Sequence, residues 1–392
     1  CRAAGRGLRA ALLLLPLLLL LVLGASPAHG EEFLSSQEFS QYYEEQKRES
    51  GAEELPARLP DETRESLNRL GVDGADWESL SALTPEGLFS MAAGWAEEAS
   101  GGPLRAGASV LAVILLCALV NGMKLTMAEG NLGQAAGLAG TLCVTVAVVR
   151  PVVACVEYAG TVIQAAADFL LACVPVLAGI LLAAGEPTKA ASYQMLMTAA
   201  GNGIALLSAY FLVPLINCFL ALSLVSAVSP GVRLGGLCDM FARAAKWVLG
   251  FCMAVFSGLL AVHSLVATAA DSAASRAVKF AVSSFVPVVG GALGEALHTV
   301  SGCVSLLKSG VAAFALLAEG ALFLPAVLQC LFWQLVLAGC GAVSEVFGLK
   351  ELGALLSAAG KAVGLLLAIL LCTLAVVIIS SVAMILLGGG NG

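Results

Sequence analysis

The sequence is short of charge. Only 12% of its 392 residues are Asp, Glu, Lys or Arg, about half the share of an ordinary soluble domain, which excludes a solvated globular surface for most of the chain. Aromatic residues stop at 6% and the net charge is -7, so there is neither a stacking platform nor a basic face for nucleic acid. The three histidines, His29, His263 and His298, stand apart with no HExxH pair. A P-loop, a GxGxxG opening a helix after a strand and a nucleophile elbow are all missing, which removes the common phosphate, dinucleotide and acyl-transfer chemistries. Cysteine is present but unpatterned: the closest two, Cys330 and Cys340, form no CxxC and have no histidine beside them, so neither a metal site nor a disulfide framework is read. Catalytic, cofactor-binding and metal-binding residues are all expected to be none.

What the chain has is apolar length. Hydrophobic residues make up 59% and the mean hydropathy is +0.94, values that predict an all-α, polytopic membrane helix bundle in contact with a lipid bilayer. Residues 1–30 carry Arg2, Arg6 and Arg9, then a Leu-rich run, then small residues up to Gly30, the three-part order of a secretory signal. Residues 31–103 hold most of the acids together with Pro56, Pro60 and Pro85, and read as a small, helical, extracytoplasmic N-terminal region. Within it, Thr84-Pro85-Glu86 has the form of a helix start.

From Leu104 onward, apolar segments at about 107–123, 132–156, 159–184, 194–228, 247–270, 279–300, 309–342 and 361–388 predict about eight spans. The second half can be laid on the first. Residues 172–181 align with 284–293, sharing Val, Pro, Val, Gly and Leu in register, and Phe211 to Pro214 parallels Phe323 to Pro325. This predicts a leading pair of helices at 104–158, one three-span unit at 159–275 and a second at 276–392, inverted because three is odd. Pro175, Pro214, Pro287 and Pro325 are the expected helix breaks, while Gly179, Gly290, Gly291 and Gly294 are expected close-packing positions.

Ionisable and amide groups inside apolar segments are costly. Asp168 in the third segment, Glu319 in the seventh and Asn202, flanked by Gly201 and Gly203, are therefore the expected members of a polar path. The other reading of each is a single hydrogen bond between helices. Two further functions fit the same residues: a stand-alone secondary carrier with Asp168 and Glu319 as coupling acids, and a structural anchor that recruits partners through 31–103.

The order of signal, acidic exported region and multi-span body, with Lys279-Phe280 ahead of the Pro-Val-Val-Gly-Gly block at 287–291, resembles the stage III sporulation protein AE family of endospore-forming bacteria. The resemblance implies a membrane subunit of the assembly that joins mother cell and forespore after engulfment, often described as a channel or feeding tube. It also implies partners: other stage III sporulation A proteins, among them a cytoplasmic ATPase and ring-forming subunits, and the forespore protein Q. The implied location is the mother-cell membrane surrounding the forespore.

Overall fold

The computed structural model describes residues 37–75, 79–80, 83–124, 130–228, 235–285 and 290–387. The expected signal at 1–30 and Pro287 lie outside the described residues. Every element is helical: α1 (Gln37–Glu49), a 3-10 helix (Ala52–Arg58), α2 (Asp61–Arg69), α3 (Pro85–Lys124), α4 (Gly130–Ala183), α5 (Pro187–Leu207), a π-helical turn (Ser208–Leu212), α6 (Val213–Val228), α7 (Gly235–Phe285), α8 (Gly290–Val346) and α9 (Lys350–Leu387). Local chemistry explains the ends. Thr84 Oγ1 accepts the Gly87 N–H at 3.2 Å, capping α3 ahead of Pro85, whose missing N–H costs nothing in the first turn. Helix α4 closes at Gly185, with φ 75, a left-handed position that lets the Gly185 and Glu186 N–H groups reach back to Leu182 and Leu181 at 3.0 Å each. Gly348, with φ 70, turns α8 into α9 in the same manner.

Among the described residues, six helices are long and apolar enough to cross a membrane: Pro85–Val120, Leu142–Ala183, Pro187–Leu222, Asp239–Val262, Gly302–Val346 and Lys350–Val382. Segments 132–156 and 159–184 are one helix, α4, because Glu157 lowers local hydropathy without disturbing the backbone ladder. The expected segment at 279–300 includes residues 286–289, which lie outside the described residues. The expected boundaries at 103/104, 158/159 and 275/276 fall inside continuous helices, and the one at 30/31 lies outside the described residues. At 54 and 57 residues, α4 and α8 are roughly 80 Å long, well beyond the ~30 Å of a bilayer's hydrocarbon.

The centre is built by α4, α8 and α9, which all touch one another. Helices α4 and α8 run antiparallel: Cys155 Sγ lies 3.6 Å from Cys330 Sγ, and Phe169 meets Phe314 edge-on at 6.4 Å. Helix α3 packs across α4 and α8, with the Cys340 thiol 3.7 Å from the Gly107 carbonyl. Helix α7 covers a different side, against α5, α6 and α9. The acidic region rests on α4 and α8. Ser50 Cα stands 3.9 Å from where a Cβ on Gly179 would be, and Val176 meets Gly51, while Tyr42 and Tyr43 pack on Cys303 and Leu306.

The two helices expected to be related by inversion run the same way. Gly201 packs on Ala167 and Leu171, and Val213 on Gly160, so α5 and α6 are antiparallel to α4, as α8 is. An inverted pair would point in opposite directions. Pro214 follows the π turn, where the wider backbone accommodates a ring that has no N–H to give. Pro175 and Pro325 lie inside continuous α4 and α8.

The sulfur contact checks this packing directly. Mild oxidation of the purified protein in detergent, followed by digestion and mass spectrometry, is expected to give Cys155–Cys330 as the dominant linked peptide. A dominant link from either cysteine to any other position would contradict the antiparallel placement of α4 and α8.

Candidate functional site

Glu319 sits midway along α8, and its side chain is 0% exposed. The helix brings it to the layer where α4, α5 and α9 converge. Ser381 of α9 donates to the two carboxyl oxygens at 3.2 and 3.4 Å. The Cys173 thiol of α4 and the Tyr193 hydroxyl of α5 lie within electrostatic reach of the same carboxyl. Two neighbouring hydroxyls of α9 are satisfied within their own helix: Thr373 donates to the Ile369 carbonyl at 3.0 Å and Ser380 to that of Val376 at 2.8 Å. The arrangement is one acid tied to a neighbouring helix by one hydroxyl. It offers no second carboxylate or imidazole for paired acid–base work, and the described residues hold no group of three metal-ligating side chains.

Asp168 and Asn202 lie elsewhere, and together. Both are exposed, and each is fifteen residues from the α4–α5 turn, counted from Ala183 and from Pro187. Asp168 accepts from Gln164 at 3.1 Å, and Asn202 donates to the Thr198 carbonyl at 2.8 Å. On α4, exposed Glu157, Thr161, Gln164 and Asp168 recur every three or four residues, which keeps them on one face. Thr198 and Asn202 do the same on α5. Both sets are displaced the same way round their helix from the contact line through Ala167, Leu171 and Gly201. Because the helices are antiparallel, equal displacement places both sets on the same side of the hairpin. The three residues expected to form one path therefore divide: Asp168 and Asn202 share an outer face, and Glu319 is sealed within the bundle.

A third cluster closes the turn end. Lys189 is 3% exposed and ion-paired with Glu186, and Lys308 is 6% exposed with a Nζ that has no hydrogen-bond partner. The sequence places Lys308 at a span edge, where a long side chain can reach water; α8 instead extends past it at both ends and buries it. Ser381, Cys173 and Tyr193 carry no sequence signal, since a lone hydroxyl or thiol in a membrane helix looks like packing. The 157–161–164–168 spacing is a signal the sequence carries but segment hydropathy passes over, since it averages the polar face with the apolar ones.

Comparison with known proteins adds identity to this geometry. The family model described as "Stage III sporulation protein AE" matches residues 102–389. The Stage III sporulation protein AE of Bacillus subtilis (strain 168) is 29% identical over 156 residues, 40% of this chain and 39% of that protein. The alignment thus spans well under half of that relative. No solved structure matches.

Proposed function

Because the chain belongs to the stage III sporulation protein AE family, we propose that it is a non-enzymatic, multi-pass subunit of a channel complex linking mother cell and forespore. The complex works after engulfment, in the mother-cell membrane that surrounds the forespore. The observation carrying this reading is the family match across 102–389, which takes in helices α4 to α9 with Glu319 and the Asp168–Asn202 face. Its partners are the other stage III sporulation A proteins, including a cytoplasmic ATPase and ring-forming subunits, and the forespore protein Q. The acidic region, docked on α4 and α8, is the part available to them on the exported side.

Deleting the gene in its own host is expected to block spore development after engulfment, and mild-detergent purification of the tagged protein to bring down those partners. Normal yields of heat-resistant spores, or a solitary monomer, would overturn the reading. A stand-alone carrier is favoured by one observation, the sealed carboxyl of Glu319, because a buried acid is a common coupling site. Asp168→Asn combined with Glu319→Gln separates the two. Spore development and assembly that survive both changes exclude the carrier.

A further inference from the structure

We propose that the shared polar face of the α4–α5 hairpin, formed by Glu157, Thr161, Gln164, Asp168, Thr198 and Asn202, lines a water-filled space at membrane depth. This rests on the reading of the chain as a membrane channel subunit and goes beyond it by naming the wall.

Depth comes first. Asp168 and Asn202 are each fifteen residues from the hairpin turn, or about 23 Å along the helix, a distance that, with the turn at the membrane surface, is past the headgroup zone and inside the hydrocarbon. All six residues fall within the spans Leu142–Ala183 and Pro187–Leu222. A carboxylate presented to lipid at that depth is disfavoured by roughly 3 kcal/mol, and Asp168 stands there beside Gln164, Thr198 and Asn202. Such a face is not stable against acyl chains.

The bundle does have a lipid-like side, and it points elsewhere. On α7, Trp247, Phe251, Val255, Leu259 and Val262 are all exposed at spacings of four, four, four and three, a continuous apolar stripe.

An independent contact marks the polar side as wet. Gly179 is eleven residues, three turns, beyond Asp168 and therefore on the same face of α4. Ser50, at the end of α1, sits against it. The flanking Glu49, Glu53 and Glu54 are exposed, and such charges do not enter hydrocarbon. The charged segment therefore lies in line with the stripe, as a continuation of one hydrated surface that descends along α4.

The test uses the full chain in its native membrane, with exposed Cys143 and Cys218 replaced by serine. Thr161→Cys, Gln164→Cys and Thr198→Cys report the stripe; Phe251→Cys and Val255→Cys, on the exposed stripe of α7, report the apolar side. A charged, membrane-impermeant thiol reagent is expected to label the stripe at least about tenfold faster, because the reactive thiolate forms in water and is suppressed in hydrocarbon. Equal or slower labelling of the stripe overturns the proposal. As a second measure, Thr161→Lys and Thr198→Lys are expected to accumulate like the parent protein while Phe251→Lys and Val255→Lys are lost; equal loss also overturns it. Alkaline extraction separates the two levels. Release of the parent protein removes the membrane reading itself, whereas retention with an unlabelled stripe removes only the water-filled wall.

Discussion

Glu319→Lys is expected to abolish accumulation of the folded protein, while Glu319→Gln leaves it near the parent level. Lysine would place an ammonium with no carboxylate beside it in a buried layer of the bundle, among Phe314, Leu316 and Phe323, all 0% exposed. An uncompensated buried charge is disfavoured by about 3–5 kcal/mol, a large fraction of a domain's whole stability. Glutamine keeps the shape and still accepts the Ser381 hydroxyl. Unfolding in mixed micelles, read as the midpoint of denaturing detergent, measures both. A double-mutant cycle of Glu319→Gln with Ser381→Ala should give a coupling on the order of 0.6 kcal/mol, the size found for hydrogen bonds between membrane helices. Parent-like stability of Glu319→Lys would mean that the carboxyl position is wet.

Gly201→Leu is the second large effect. A Cβ at Gly201 would stand 2.8 Å from both Cγ and Cδ2 of Leu171, closer than real Cβ contacts come, and the rest of a leucine side chain has nowhere to go without parting α4 from α5. Overpacking of this kind is destabilising by about 1–3 kcal/mol or more. The separation would also shift Asn202 relative to Asp168, so the labelling rate at Thr198→Cys should change with it. Gly201→Ala is expected to fall between the parent and Gly201→Leu, and Leu171→Ala to recover much of its loss, since the leucine is what the new methyl meets. Failure of Leu171→Ala to help would place the strain somewhere other than this contact.

Both effects turn on which way a residue faces. Glu319 and Asp168 look alike in sequence: each is a single acid in a long apolar segment. A membrane helix bundle is apolar inside and faces apolar lipid outside, so hydropathy carries little information about direction. The acids differ only in their neighbours. Glu319 has residues of α4, α5 and α9 around it, and Asp168 has Gln164 on its own helix and open surface beyond.

The sequence by itself determined the class of this protein, an all-helical chain with several helices long enough to cross a membrane, because apolar composition and segment length are local quantities. It also carried the family, and it marked Thr84-Pro85 as a helix start, because capping is decided within one turn. Tertiary structure decided the rest. It fused 132–156 and 159–184 into α4, since a hydropathy window responds to Glu157 and the backbone ladder does not. It set α5, α6 and α8 in one direction, because handedness and orientation belong to contacts such as Gly201 on Leu171 and Cys155 on Cys330. It also sealed Glu319 and left the Asp168–Asn202 face open, because burial is a property of what packs against a helix and no single segment specifies its neighbours.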